Sequence, residues 1–315
     1  MKKVYILGSH FYGYEKEIIN GFKKNYKVVF INYRLNTLEF FICKIFGKRF
    51  KEFIINQKIK KNLKNQLIDF LLVVGGQDLY KKNILYIIKN SIIRKKILYL
   101  WDNIERVKNF QEIQGFFDRI YSFDYKDCEK YNLNYRPTFY SKRLEKLKNE
   151  DLEEDINIFF IGIYRKNRLN IVKKMYKDEN FIYLYYPKLF FYLLKLLKKE
   201  EFIGIDKKYI NFQPIKKEKY NEIFKRSKYI LDIPEENQTG LTQRILDALL
   251  LGKKVITTQK SIVKEKFYND NNILIIKNYE DIEKNDYFFK TKYKKITSEI
   301  INYYSIEKWI KDVLE

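Results

Sequence analysis

The sequence predicts an α/β protein of two successive domains, each a parallel sheet covered by helices, and three observations predict it. Short apolar runs alternate with helical patterns, several of those runs stop at Gly or Asp, and the alternation restarts after a charged stretch near the middle. The length of 315 residues suits two domains at roughly 150 residues each.

The elements follow in order. Lys3 to Leu7 is a buried-strand run ending in Gly8-Ser9, followed by a helical pattern over Tyr14 to Lys24 and a strand at Lys27 to Asn32. Ile68 to Val74 ends in Gly75-Gly76, a helix follows near Lys81 to Arg94, and Lys96 to Trp101 ends in Asp102-Asn103. Arg119 to Phe123 closes on Asp124, and Asn134 to Phe139 contains Pro137. Ser141 to Asp155, first basic and then acidic, reads as the connector, which places the domains at 1–150 and 151–315.

The second domain opens with Ile156 to Ile161 before Gly162, then a helix over Arg168 to Tyr176 and a strand at Phe181 to Tyr185. Helices at Leu189 to Lys199 and Lys216 to Arg226 precede a strand at Tyr229 to Ile233. A helix at Leu241 to Leu250, a Gly252 stop, and strands at Lys254 to Thr257 and Ile273 to Ile276 complete it. Ser305 is the N-cap candidate of a terminal helix whose Trp309 packs on a domain.

Composition narrows the function. Hydrophobic residues at 46% and aromatics at 17%, with 11 Gly and 4 Pro, exclude a disordered or collagenous chain. Two cysteines, Cys43 and Cys128, and a single histidine make neither a disulfide framework nor a usual zinc site, so a reducing compartment is expected. No run approaches a signal sequence or the ~18 apolar residues of a spanning helix, so the expectation is a cytoplasmic protein, soluble or peripheral. The formal charge of +23 suits anionic partners, nucleic acid and membrane surfaces included, but abundant Lys, Ile, Asn, Tyr and Phe together also fit a base-composition bias.

In doubly wound sheets ligands sit beyond the carboxyl ends of strands. Here those positions hold Gly8-Ser9-His10, Gly75-Gly76-Gln77-Asp78, Asp102-Asn103, Asp124, Gly162, Arg165 and Arg168, and the cleft between two such domains is the expected site. The richest segment runs from Asp232 through Pro234, Gln238-Thr239-Gly240-Leu241-Thr242, Arg244 and Asp247 to Gly252 and Thr258. It reads as a strand, a polar loop, a helix, a Gly stop and a strand. Gly240 would offer free N–H groups at the helix start to a phosphate or diphosphate, with Thr242 and Arg244 as further donors and Asp247 facing a ribose hydroxyl pair. A plain turn at Gly240 and a solvated Asp247 is the competing reading.

This segment resembles the donor-binding helix of nucleotide-sugar glycosyltransferases of the GT-B fold, and more narrowly a bacterial subgroup of capsule and lipopolysaccharide assembly. The same style of motif appears in Gly8-Ser9-His10-Phe11, Leu98-Tyr99-Leu100-Trp101-Asp102-Asn103, Phe117 to Asp124, Phe159-Phe160-Ile161-Gly162 with Arg168, and Gln238 to Thr242. The resemblance spans nearly the whole chain. It implies two Rossmann-like domains with sheets facing across a cleft, an N-terminal acceptor domain and a C-terminal donor domain. It also implies transfer of a sugar from a nucleotide-diphosphate donor to a glycan or lipid-linked acceptor.

The implied donor residues are Gly162, Arg165, Arg168, Gln238, Thr239, Gly240, Leu241, Thr242, Arg244 and Asp247, with Arg165 and Arg168 neutralising the departing diphosphate. His10, as general base or sugar contact, and Asp102, as the stronger acid candidate with Asp124 in reserve, are the catalytic candidates. Broader retaining families carry two glutamates around this loop and helix, whereas Thr239 and Asp247 stand there in this chain, which leaves both stereochemical outcomes open. No Asp-x-Asp, Gly-x-Gly-x-x-Gly or Gly-Lys-Ser/Thr sequence occurs, so the expectation is metal-independent chemistry with no cofactor besides the substrate.

Lys188 to Lys199 reads first as a buried helix of the second domain, and second as a basic apolar helix at a membrane surface. Two rival functions remain. A nucleotide-sugar epimerase or hydrolase would use the same fold. A nucleic-acid or anionic-surface binding protein would use the charge and the aromatics, although no compact nucleic-acid motif is present and nucleic acid is not the expected partner.

Overall fold

The computed structural model describes residues 1–10, 13–63, 66–148, 150 and 152–315. Phe11 of the first motif and Asn149 and Asp151 of the connector therefore lie outside the described residues. The chain folds as two compact units. One comprises Met1–Phe139, Gln238–Leu241 and Asn302–Glu315, the other Tyr140–Asn237 and Thr242–Ile301.

The first unit holds a six-stranded sheet in the order β2-β1-β3-β4-β5-β6. Its strands are β1 (Lys3–Gly8), β2 (Lys27–Asn32), β3 (Gln66–Val74), β4 (Ser91–Leu100), β5 (Arg119–Ser122) and β6 (Asn134–Tyr135), and every pairing is parallel. The apolar runs are continuous because both faces are covered. Tyr5, Leu7, Leu71, Val73, Leu98 and Leu100 pack on one face with Ile55 and Ile59 of the Thr37–Lys60 helix. Val4, Ile6, Leu72, Val74, Ile97 and Tyr99 pack on the other with Ile18 and Phe22 of the Tyr14–Lys23 helix.

The terminal helix Ile306–Leu314 completes this second face, so the last residues of the chain, read from sequence as part of 151–315, pack with the first unit. Trp309 is fully buried with its ring centroid 4.8 Å from Tyr99 and 5.5 Å from Phe139. A side chain at Gly21 would stand 2.7 Å from Ile310 Cδ1, so glycine sets how closely the two helices approach. Ser305 caps the helix by accepting from the Lys308 N–H at 3.2 Å, as its position predicted. Ser305→Ala should cost about 1 kcal/mol, read as a lowered denaturant midpoint at constant m-value.

The second unit holds a five-stranded parallel sheet in the order β11-β10-β9-β7-β8. These strands are β7 (Ile156–Ile163), β8 (Phe181–Tyr185), β9 (Ser227–Asp232), β10 (Lys254–Thr257) and β11 (Ile273–Ile275). The helix Gln243–Leu251 ends at Gly252 in the left-handed conformation, φ 64°. The stretch read as a connector contains the helix Lys142–Leu147, with Leu144 fully buried.

Strand order fixes where ligands can enter. From β1 the first sheet grows to β2 on one side and to β3 on the other, and from β7 the second grows to β8 and β9 likewise. The crevices therefore lie past the ends of β1 and β3 and of β7 and β9. One helix departs from its expected burial: in Lys188–Leu196 only Phe191 is buried, while Leu189, Phe190, Leu193 and Leu196 are exposed. The long Thr37–Lys60 helix has no counterpart in the sequence reading. Among the described residues no helix is long and apolar enough to cross a membrane.

Candidate functional site

At and beyond the ends of β7 and β9 the second unit assembles Gly162, Arg165, Arg168, Thr242 and Arg244 around two acids that carried no assigned role in the sequence, Asp232 and Glu235. Asp232 ends β9 fully buried. Its carboxylate accepts from Thr242 Oγ1 at 2.6 Å, Thr257 Oγ1 at 3.1 Å, and Arg244 Nε at 3.0 Å and Nη2 at 2.8 Å. Arg244 Nη1 donates to the Ile161 carbonyl at 2.9 Å, and the guanidinium lies over the Phe160 ring. The two side chains expected to reach outward from the helix start are thus turned inward, because a buried carboxylate at a strand end needs donors.

Arg168 is also turned inward. It donates to the carbonyls of Ile233 and Ile163, each at 2.9 Å, and pairs with Glu235 at 3.1 Å. Burial pushes this guanidinium down to about 10, neighbouring Arg244 adding to the fall while Glu235 and Asp232 oppose it. A side chain at Gly162 would stand 3.0 Å from the Phe160 ring, so glycine leaves room for that ring.

Arg165 remains one-third exposed, 3.3 Å from Glu235 and 3.8 Å from Glu201. Burial works to lower its guanidinium, but Glu235 and Glu201 outweigh it and hold it above the ordinary value. Arg165 borders a pocket of about 560 Å³ with Lys166, Asn167, Asn170, Glu200, Glu201, Glu235 and Glu236. It also stands at the start of the helix Lys166–Val172, with no side-chain cap of its own there.

The Gln238–Leu241 loop lies elsewhere. Asp124, almost fully buried, accepts from Thr239 N at 2.7 Å, Thr239 Oγ1 at 2.5 Å and Gly240 N at 3.0 Å. It also caps the helix Tyr125–Tyr131 through Lys126 N and Asp127 N. The N–H groups expected to be free for a phosphate are therefore held by a carboxylate of the chain, and the reserve acid Asp124 is a loop anchor. A Cβ at Gly240 would stand 2.4 Å from the Phe123 carbonyl and ring, so this position admits only glycine. Gln238 Nε2 closes the loop onto the Gly240 carbonyl at 3.0 Å, and Leu241 is buried.

Asp247 is buried rather than solvated, accepting from Ser141 N at 2.7 Å and Gln243 Nε2 at 3.0 Å. In the first unit, His10 follows β1 with its side chain 64% exposed, and its Nδ1 lies 3.3 Å from Oε1 of the buried Glu15. Glu15 was not singled out by sequence. Its signal is an acid in the first helical turn, five residues after the only histidine. Asp102 follows β4, accepting from Gln77 Nε2 at 2.7 Å beside Arg106 at 3.4 Å. Gln77 reaches it from the β3 end, where Gly75 and Gly76 turn the chain with φ of 92° and 81°.

No known protein family matches the sequence, and no curated protein does. Solved structures do match the fold. UDP-GlcNAc 2-epimerase from Methanocaldococcus jannaschii superposes with a TM-score of 0.52 at 13% identity, covering 99% of this chain and 99% of that one. A glycosyltransferase from Rickettsia africae ESF-5 gives 0.60 at 12% identity, covering 99% and 97%. Anabaena HepE, solved with UDP and glucose, gives 0.60 at 11% identity, covering 100% and 99%. The fold is GT-B, two Rossmann-like parallel-sheet domains.

Proposed function

We propose that the chain is a metal-independent glycosyltransferase moving a sugar from a nucleotide-diphosphate donor to a glycan or lipid-linked acceptor. Its setting in this reading is capsule or lipopolysaccharide assembly, in the cytoplasm and peripheral at the inner face of the cell membrane. The observation that carries it is the pocket past β7, whose volume of about 560 Å³ falls in the usual range for small-molecule sites, roughly 300–1,000 Å³. Arg165, Lys166 and the start of the helix Lys166–Val172 supply positive charge for a diphosphate, while Glu201, Glu235 and Glu236 can accept from sugar hydroxyls.

Arg168 and Arg244, already neutralised, act from behind by fixing the loop that carries Glu235. His10 takes the acceptor hydroxyl proton as that oxygen attacks the sugar's anomeric carbon, and Asp102 is the alternative base. The diphosphate leaves with the bonding electron pair, and Arg165 and Lys166 stabilise its charge. The test is a thermal-shift panel of UDP, GDP, CMP and dTDP with sugar conjugates, each with Mg²⁺ and with EDTA. One nucleotide diphosphate should stabilise the fold by about 2.7 kcal/mol at a hundredfold excess over Kd, unaltered by EDTA. If no nucleotide stabilises the folded protein, the donor site is disproved.

A second reading, nucleotide-sugar epimerase or hydrolase, is favoured by the epimerase among the similar folds. Turnover of the donor alone, without any acceptor, would establish it in place of transfer.

A further inference from the structure

We propose that the first arm of the Thr37–Lys60 helix is a lipid-surface anchor that docks the protein on an anionic bilayer. This deepens the membrane-surface reading above and rests on it. Gly47, with φ 78° and ψ −170°, breaks the helix, and apart from the adjoining backbone nothing lies within 4 Å of where its Cβ would be. Beyond this kink Ile55 and Ile59 join the core, whereas between residues 38 and 46 only Cys43 is buried.

The arm is apolar where it meets water. Leu38, Phe41, Ile45 and Phe46 are 69%, 53%, 80% and 66% exposed, and Phe40 is exposed beside them. At 100° per residue, Phe41, Ile45, Leu38, Ile42 and Phe46 cover an arc of ~140°, wider than the seam of a helix seated against one partner helix. A soluble helix turns such a face inward; this one leaves it in water.

Charge selects the occupant. Lys44 and Arg49 are exposed along the arm and its kink, and Lys48 between them is exposed but paired with Glu112 at 3.3 Å. The one acid, Glu39, is already engaged by Lys58 Nζ at 2.5 Å and by the Asn36 N–H at 2.7 Å. A surface that takes up leucine, isoleucine and phenylalanine side chains and meets Lys44 and Arg49 with negative headgroups is a leaflet containing acidic phospholipid. The exposed Lys188–Leu196 helix of the second unit is another element of this character, and it serves as the comparison.

The experiment is co-sedimentation of the full chain with phosphatidylcholine vesicles and with vesicles of equal phosphatidylcholine and phosphatidylglycerol. It uses the wild type, Phe41→Glu/Ile45→Glu and Leu189→Glu/Leu196→Glu. The wild type should bind the mixed vesicles, less so in high salt, and Phe41→Glu/Ile45→Glu should lower the partition coefficient about tenfold or more with its unfolding midpoint unchanged. Equal binding by that variant, with loss in Leu189→Glu/Leu196→Glu, would overturn the anchor and leave the membrane reading standing. No binding by the wild type would overturn both. A dimer that Phe41→Glu/Ile45→Glu converts to monomer, without vesicle binding, would make the arm a self-association surface and overturn the anchor.

Discussion

Asp232→Ala should destabilise the second unit by about 3–5 kcal/mol, the range for breaking a buried ion pair from one side. Asp232 is fully buried and holds Thr242, Thr257 and two nitrogens of Arg244, whose side chain is only 16% exposed. Removing the carboxylate strands that guanidinium with the Ile161 carbonyl and the Phe160 ring, close enough to Arg168 to depress it further. Asp232→Asn should cost less, about 1.5–3 kcal/mol, because the amide keeps the shape and part of the hydrogen bonding. The decisive variant is Asp232→Leu with Arg244→Leu, which should be more stable than Asp232→Ala alone, since no charge is left unpaired. Denaturant midpoints for the four proteins check the prediction. Equal midpoints for Asp232→Ala and wild type would contradict it.

Asp124→Ala should cost about 3 kcal/mol and loosen the Gln238–Leu241 loop. Two losses combine. The helix Tyr125–Tyr131 loses its cap, about 1 kcal/mol, and the loop N–H groups of Thr239 and Gly240 lose their acceptor, about 1–3 kcal/mol for a buried donor. Asp124→Ser separates them, because a serine hydroxyl can cap its own helix but is too short to serve two further amides as well. Amide hydrogen exchange of Thr239 and Gly240 should be slow in wild type, and fast in Asp124→Ala and Asp124→Ser, whereas that of Asp127, whose N–H donates to the cap, should be fast only in Asp124→Ala. The same variants probe the loop as an anion site. If Thr239 and Gly240 can cradle a diphosphate, Asp124→Ala should raise its affinity, since the competing carboxylate is gone.

The strands were legible because a parallel strand buried on both faces shows itself locally. Phe181 to Tyr185 and Lys254 to Thr257 appear in the structure with the ends read from sequence. The Thr37–Lys60 helix was not legible. Its first arm puts apolar residues toward solvent and its second toward the core, so across the Gly47 break no single helical period runs through it. At the site, Arg165 and Arg168 were visible as residues past a strand, whereas Gly162, read as lying just beyond it, falls inside β7. The inward turn of Arg244 depends on Asp232, twelve positions earlier, and the anchoring of Gly240 depends on Asp124, more than a hundred positions earlier. A sequence shows that such residues are polar. It does not show which of them have already found each other.

The return of the terminal helix to the first sheet has a consequence for synthesis. Ile306, Trp309, Ile310, Val313 and Leu314 complete a core whose other buried residues end at Phe139. At about 5–20 residues per second, a ribosome needs about 10–35 seconds to make the intervening chain. Through that interval Tyr99 and Phe139 wait without the indole that will cover them. The first sheet is therefore completed only after the second has been made, and until then the nascent chain exposes to aggregation and proteolysis the face that the Ile306–Leu314 helix later seals.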